Sequence, residues 1–320
     1  MTHVTVPPYK VAVVQAAPSA YDALETLAIV EKWCAQAARD EARLVVFPEA
    51  FIGGYPVGLD FGTRIGLRTP EGREAFRRYF NAAIDVPGEA TEALCAIASR
   101  YRVYVVIGVV ERDGGTLYSS ALYLSPNGEL LGKHRKLMCT GVERYVWGNG
   151  DASMMPVFPT ALGRIGALIG DENYMPTARM AMYAKRMNLH CVPTINDDPA
   201  WLSSMRMLAM EGRSFVLSAC QVLQRKNLPG DHPISADVGP DSFLRRGGSC
   251  IVNPLGVVLA APVWEKECLV TASIDLRDVD RGKYDFDVVG HYSRSDIFSL
   301  HVNERRQAAV ASMSEFVEGL

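Results

Sequence analysis

Ten short runs of β-branched and other apolar residues constrain this chain most. They are "KVAVVQA" (10–16), "RLVVFPE" (43–49), "VYVVIGVVE" (103–111), "LYSSALYLS" (117–125), "IGALIG" (165–170), "LHCVPTI" (189–195), "SFVLSACQV" (214–222), "GGSCIVNP" (247–254), "GVVLAAP" (256–262) and "CLVTASIDL" (268–276). Each is too short for an independent helix and is bounded by turn residues, so each reads as a sheet strand. Helical patterns over 21–41, 88–101, 176–187 and 199–212 separate several of them, while "DGG" (113–115), "PNGE" (126–129) and "NPLG" (253–256) read as hairpin turns. Long crossovers call for parallel neighbours and tight turns for antiparallel ones. The chain is therefore expected to be α/β, with helices covering mixed sheets.

Composition narrows the function. A chain of 320 residues, 48% hydrophobic and 22% charged with net charge −3, buries a large core without staples. The seven cysteines (34, 95, 139, 191, 220, 250, 268) include no C-x-x-C pair, and the six histidines no H-x-x-x-H pair. A disulfide framework, a metal site and a bound cofactor are therefore not expected. Without a P-loop, a G-x-G-x-x-G or a basic run, nucleotides and nucleic acids are disfavoured too. No apolar stretch reaches the ~18 residues of a membrane span, and "MTHVTVPPYKVAVV" does not read as a signal peptide, so a cytoplasmic protein with no membrane partner is expected. No linker divides the sequence; it reads as one domain, 1–302, with a tail, 303–320, expected to be helical.

Three segments set polar residues directly after an apolar run, where loops at strand ends build sites. In "LVVFPEAFIGGYP" Glu49 follows a core strand; a helix-capping glutamate is its plainer explanation. In "GKHRKLMCTGVERYVWGNGD" the cluster Lys133, His134, Arg135 and Lys136 taken alone reads as a solvated hairpin. In "GALIGDENYMP" two acidic residues, Asp171 and Glu172, follow Gly170 where a core strand stops.

Taken together, these segments resemble the nitrilases, the nitrile-cleaving branch of the carbon-nitrogen hydrolase superfamily. The resemblance runs from "VAVVQAAP" to "RGKYDFDVVGHYSRSDIFSLHVNE". It implies a four-layer α-β-β-α sandwich, assembled as a homodimer or larger homo-oligomer, that acts on a small molecule. The family's catalytic set is a glutamate base in an "FPEA"-like segment, a lysine in an "HRKL"-like segment and a nucleophilic cysteine in a "CWEN"-like segment. By that resemblance Glu49 is the base, Lys136 the cation that stabilises charge on the substrate, Glu143 the second glutamate that orients the lysine, and His291 a histidine that influences activity. The chemistry is general: a carboxylate takes a proton from the attacking group, and a buried ammonium supports the charge that develops on the substrate.

The sequence departs from that pattern at the third segment. Aligned on "CWENYMP", the stretch "GDENYMP" puts Gly170 at the nucleophile position and Asp171 where a tryptophan is expected. Cys139 stands where the family usually has proline, and Met207 where it typically has histidine. Asp171 either enters the pocket as a second carboxylate beside Glu49 and Lys136 or points sideways to cap the helix beginning near Met175. Cys139 is a weaker candidate for a relocated nucleophile, and a metal held by Glu49, Asp171 and Glu172 would be repelled by Lys136.

The catalytic expectation is thus Glu49, Lys136, Asp171 and Glu143, with Gly170, Tyr55, Trp201, Asn196, His291 and Cys139 against the substrate. Tyr145, Trp147 and Tyr174 are further candidates for an aromatic lining. The expected activity is acid–base chemistry on a nitrile, amide or related C–N compound with no covalent cysteine step: hydrolysis, hydration, or a lyase or cyclisation reaction. Two alternatives stay open: a silent binding or assembly subunit, and a nitrilase altered at its nucleophile.

Overall fold

The computed structural model describes residues 6–234 and 238–307. In chain order its strands are β1 (Tyr9–Gln15), β2 (Ala42–Val46), β3 (Ile84–Asp85), β4 (Tyr104–Asp113), β5 (Thr116–Leu124), β6 (Leu130–Arg135), β7 (Val157–Thr160), β8 (Gly163–Ala167), β9 (Leu189–Thr194), β10 (Phe215–Cys220), β11 (Val222–Gln224), β12 (Phe243–Arg246), β13 (Cys250–Val252), β14 (Val258–Ala260) and β15 (Cys268–Ile274). The helices are α1 (Ala23–Arg39), α2 (Pro70–Ala82), α3 (Glu89–Tyr101), α4 (Pro176–Ala184), α5 (Trp201–Gly212) and α6 (Arg277–Gly282).

One sheet has the order β15-β1-β2-β4-β5-β6 with β3 also paired to β4, a second has β14-β13-β10-β9-β8-β7, and β11 and β12 form a separate ribbon. The crossovers through helices give parallel pairs β1–β2, β2–β4, β8–β9 and β9–β10. The three tight turns give the antiparallel pairs β4–β5, β5–β6 and β13–β14.

Strand alternation then assigns the layers. Val11, Val13, Leu44 and Val46 of the first sheet pack with Ile165, Ala167, Leu189, Cys191, Phe215 and Leu217 of the second. Their neighbours Ala12, Val14 and Val45 face outward onto Trp33 and Cys34 of α1 and Leu94 and Ile97 of α3. On the far side Val192 and Val216 pack against Trp201, Met205 and Leu208 of α5, and α4 packs through Met182 and Tyr183 beside Leu168. The result is a helix–sheet–sheet–helix sandwich.

All ten expected strands and the four expected helices form. The basic cluster at 133–136 is not a solvated hairpin. It is the end of β6 and the residue after it, with His134, Arg135 and Lys136 buried. Each cation has an anion: Lys133 and Arg135 bond Glu111, and His134 bonds Glu172. Residues 303–307 of the tail are not helical, and 308–320 lie outside the described residues.

Candidate active site

The site lies where β2, β6 and β8 end on one rim of the sandwich. After β2 the chain stays in the sheet: the N–H of Phe47 donates to the carbonyl of Val106 (2.8 Å) and that of Gly108 to the carbonyl of Pro48 (3.1 Å). Any β-carbon at Gly108 would stand 2.3 Å from the Pro48 oxygen and 2.5 Å from Cα of Glu49, so only glycine permits this approach. The Gln221 amide donates to the Glu49 carbonyl (2.7 Å). Glu49 is held by the sheet and caps no helix.

Lys136 follows β6, its N–H bonded to Ser119 O (2.8 Å). Its Nζ donates to Glu49 Oε1 (2.8 Å) and Glu143 Oε2 (2.9 Å). Glu143 sits in the 3-10 turn Gly141–Tyr145, where its Oε2 also accepts from the N–H of Thr140 (2.7 Å) and its Oε1 accepts from the Tyr55 hydroxyl (2.6 Å). Ser119 donates to Glu49 Oε1 (3.1 Å). With Glu49 and Lys136 each 1% exposed, water screens these charges poorly.

Burial pushes the Glu49 carboxyl up to about 7; the Lys136 ammonium holds it down only in part, and Glu143 adds to the rise. Burial opposes the Lys136 charge, but its two carboxylate partners outweigh that and hold its pKa above the usual lysine value. Glu49 is therefore poised between acid and base near neutrality, beside a fixed cation.

The third segment reaches this pair. Past β8, Gly170 opens the 3-10 turn Gly170–Tyr174 in the left-handed region, φ +52°. A β-carbon there would stand 2.9 Å from Glu49 Oε2 and 3.5 Å from Lys136 Nζ. Glu49 Oε2 is buried and has no hydrogen-bond partner among the described residues. The free oxygen of the carboxylate thus faces the place where Gly170 lacks a side chain.

Glu172 fixes the turn. Its Oε2 accepts from the Ile169 N–H (2.6 Å) and from His134 Nε2 (2.9 Å), and its Oε1 accepts from the Leu137 N–H (2.5 Å). His134 Nδ1 lies 2.6 Å from the Met154 carbonyl, so acceptors face both ring nitrogens, an arrangement that favours the charged imidazole. Burial opposes that charge, but Glu172 and the two acceptors hold the His134 pKa above its ordinary value. This buried pair ties the Gly170 turn to the segment that carries Lys136.

A cavity of about 230 Å3 opens over these groups. Glu49, Lys136, Glu143, Gly170, Tyr55 and Asn196 line it, as does Asp171. Asp171 does not cap α4, whose N-terminal cap, Met175, has no side-chain hydrogen bond. Glu172 is bound as above, and among the described residues no three His, Cys, Asp or Glu side chains converge to hold a metal ion.

Three other expected contacts are not brought to the cavity. Trp201 is core: its indole N–H donates to Ser218 (3.0 Å) and its ring packs among α5, β9 and β10. His291 is an exposed surface residue beside Tyr292. Cys139 packs behind the site among Tyr79, Leu117 and Trp147, with Sγ turned to the carbonyls of Trp147 (3.7 Å) and Gly148 (3.5 Å), and burial pushes its thiol up to about 12. Trp147 backs Tyr55 edge-on (5.6 Å), whereas Tyr145, Tyr174 and Met207 are exposed. No cysteine is among the described residues that line the cavity. Several lining residues are absent from the sequence reading, among them Thr140, Thr194, Ile195 and Arg245 of β12; the "FLRRGGS" context of Arg245 has no pattern separating a site arginine from a surface one.

Residues 10–284 match the carbon-nitrogen hydrolase family model, and the chain belongs to that family. It is similar to a nitrilase of Bradyrhizobium diazoefficiens, 52% identical over 96% of this chain and 95% of the relative. It is also similar to a bifunctional nitrilase/nitrile hydratase of Nicotiana tabacum, 49% identical over 96% of this chain and 90% of that protein. In fold it matches Saccharomyces cerevisiae Nit3, a member of branch 10 of the nitrilase superfamily, with TM-score 0.68 and 19% identity, covering 91% of this chain and 98% of that one. Among the described residues no helix is long and apolar enough to cross a membrane.

Proposed function

We propose that this enzyme adds water to the carbon–nitrogen bond of a small nitrile or amide without a covalent cysteine intermediate. In this reading Gly170 stands where the family's nucleophilic cysteine belongs, and the attacking water lies in the cavity space that Glu49, Lys136 and Gly170 line. The single observation that carries the proposal is the unpartnered Oε2 of Glu49 turned toward that space.

Glu49 takes a proton from the water as its oxygen attacks the nitrile carbon, and the displaced electron pair goes to nitrogen. Lys136 has two of its three N–H groups on Glu49 and Glu143, and its third stabilises the charge on that nitrogen. Protonation of the nitrogen by Glu49 yields the imidic acid, which becomes the amide when its hydroxyl proton passes to nitrogen; a second water, activated in the same way, adds to the amide carbon, and the proton held by Glu49 goes to the nitrogen as ammonia leaves and the acid remains. Asp171 assists by orienting water or exchanging protons with it.

Relatives named nitrilase and nitrile hydratase support this direction of chemistry. The cavity lies below the ~300–1,000 Å3 of sites for drug-sized ligands, which supports a small substrate. A silent scaffold is the poorer reading, because keeping Glu49, Lys136 and Glu143 together in the dry interior works against stability unless they serve chemistry.

The test is to incubate the protein with a panel of nitriles and amides and follow amide, acid and ammonia by mass spectrometry, with Glu49→Gln and Asp171→Asn in parallel. Turnover that disappears with Glu49→Gln supports the proposal. Turnover that survives it, or silence across the panel, counts against it.

A further inference from the structure

Arg245 lines the same cavity, and its guanidinium is only partly partnered among the described residues. The guanidinium presents two edges, and the one formed by Nε and Nη2 matches a carboxylate with two parallel hydrogen bonds. Here Nη1 donates to the Leu244 carbonyl (3.0 Å), while Nε is buried and has no partner among the described residues. Among the described residues Arg245 makes no ion pair, although four carboxylates share the lining. Those four are largely committed: Glu49 and Glu143 hold Lys136, and Asp197 accepts from the Arg246 N–H (2.9 Å). Asp171 has no ion pair with Arg245 either. The guanidinium lies 6.0 Å from the centroid of the Tyr55 ring, whose hydroxyl is fixed on Glu143, so a rigid wall supports it beside the reacting groups.

We propose that Arg245 sets specificity by binding a carboxylate on the substrate, making the preferred substrate a short-chain carboxylic acid whose nitrile or amide carbon lies at Gly170. A buried cationic N–H without an acceptor is unfavourable in the free protein, and a planar anion in the cavity relieves it. The small cavity volume limits the chain between the two groups to a few carbons. The substrate class rests on the nitrile and amide reading above; the anion site itself does not.

The experiment is therefore a binding measurement that needs no turnover. The affinities of 3-cyanopropanoate and of its neutral methyl ester are compared by calorimetry in the native protein, in Arg245→Gln and in Arg245→Lys. The expected result is a preference for the acid of about tenfold or more in the native protein, in line with a charge-assisted bidentate contact. Arg245→Gln abolishes that preference, and Arg245→Lys, which keeps the charge without the fork, retains only part of it. Equal affinities in the native protein, or a preference that persists in Arg245→Gln, overturn the proposal. An acid preference without turnover of either compound upholds the anion site while removing the proposed reaction; turnover without the preference does the reverse.

Discussion

Glu49 and Gly170 meet across the rim of the sandwich: the unpartnered Oε2 of the glutamate lies 2.9 Å from where a β-carbon on the glycine would stand. A carboxylate raised toward neutrality thus lies close against the Gly170 backbone, where a side chain would crowd it, with the Lys136 ammonium on its other oxygen.

Glu49→Gln keeps the shape of that carboxylate and removes its basicity, so kcat/KM should fall by about 10²–10⁴. In the native protein the ionised form is the base. Because burial raises Glu49 to about 7, kcat/KM should rise with pH to a plateau above that value and drop about tenfold per pH unit below it. A profile that falls through neutrality would assign Glu49 the opposite role, an acid.

Gly170→Ala places a methyl group against Glu49 Oε2 and imposes left-handed strain of about 1–2 kcal/mol. Turnover should drop by about tenfold or more, since the methyl group displaces the proposed base. Gly170→Cys is expected not to convert the protein into a covalent nitrilase, because the adjacent Asp171 carboxylate disfavours a thiolate. Intact-protein mass spectrometry under turnover decides: full nitrile hydrolysis through an adduct on the new thiol would mean that the pocket is an ordinary one lacking only its nucleophile.

Lys136→Met strands Glu49 and Glu143 in the interior without a cation. The loss in unfolding free energy should be about 3–5 kcal/mol in a denaturant titration. Adding Glu49→Gln and Glu143→Gln removes the stranded charges and should recover part of it. A single substitution costing under about 1 kcal/mol would show that water enters the site.

Cys139 has its thiol turned to two backbone carbonyls and is pushed up to about 12 by burial. In the native protein it should resist iodoacetamide at neutral pH, as mapped by peptide mass spectrometry, and Cys139→Ser should keep turnover within a few-fold. Rapid labelling together with loss of activity would restore Cys139 as a nucleophile.

Much of the fold was legible because its strands are short, apolar and punctuated by turn residues. The hairpin turns and helical stretches then set which neighbours are antiparallel and which parallel. The basic residues of β6 misled because local sequence does not name their partners: Glu111 comes from β4 and Glu172 from beyond β8. Trp201 misled for a related reason, since an aromatic residue near a candidate loop packs equally well into a core, and here Ser218 satisfies its N–H. Asp171 was undecidable in sequence because capping and lining require the same residue type, and only the backbone path of the turn separates them.

The sequence by itself determined the strand order along the chain, the family resemblance and the presence of Glu49, Lys136 and Glu143, because these depend on local patterns and motif spacing. Tertiary structure alone decided that Lys136 lies between two carboxylates 87 and 7 residues away, that Glu49 Oε2 faces Gly170, and that Arg245 lines the same cavity. The physical reason is that ionisation and hydrogen-bond satisfaction depend on neighbours in space and on exclusion of water, and both are set only when the two sheets and their rim loops close on one another.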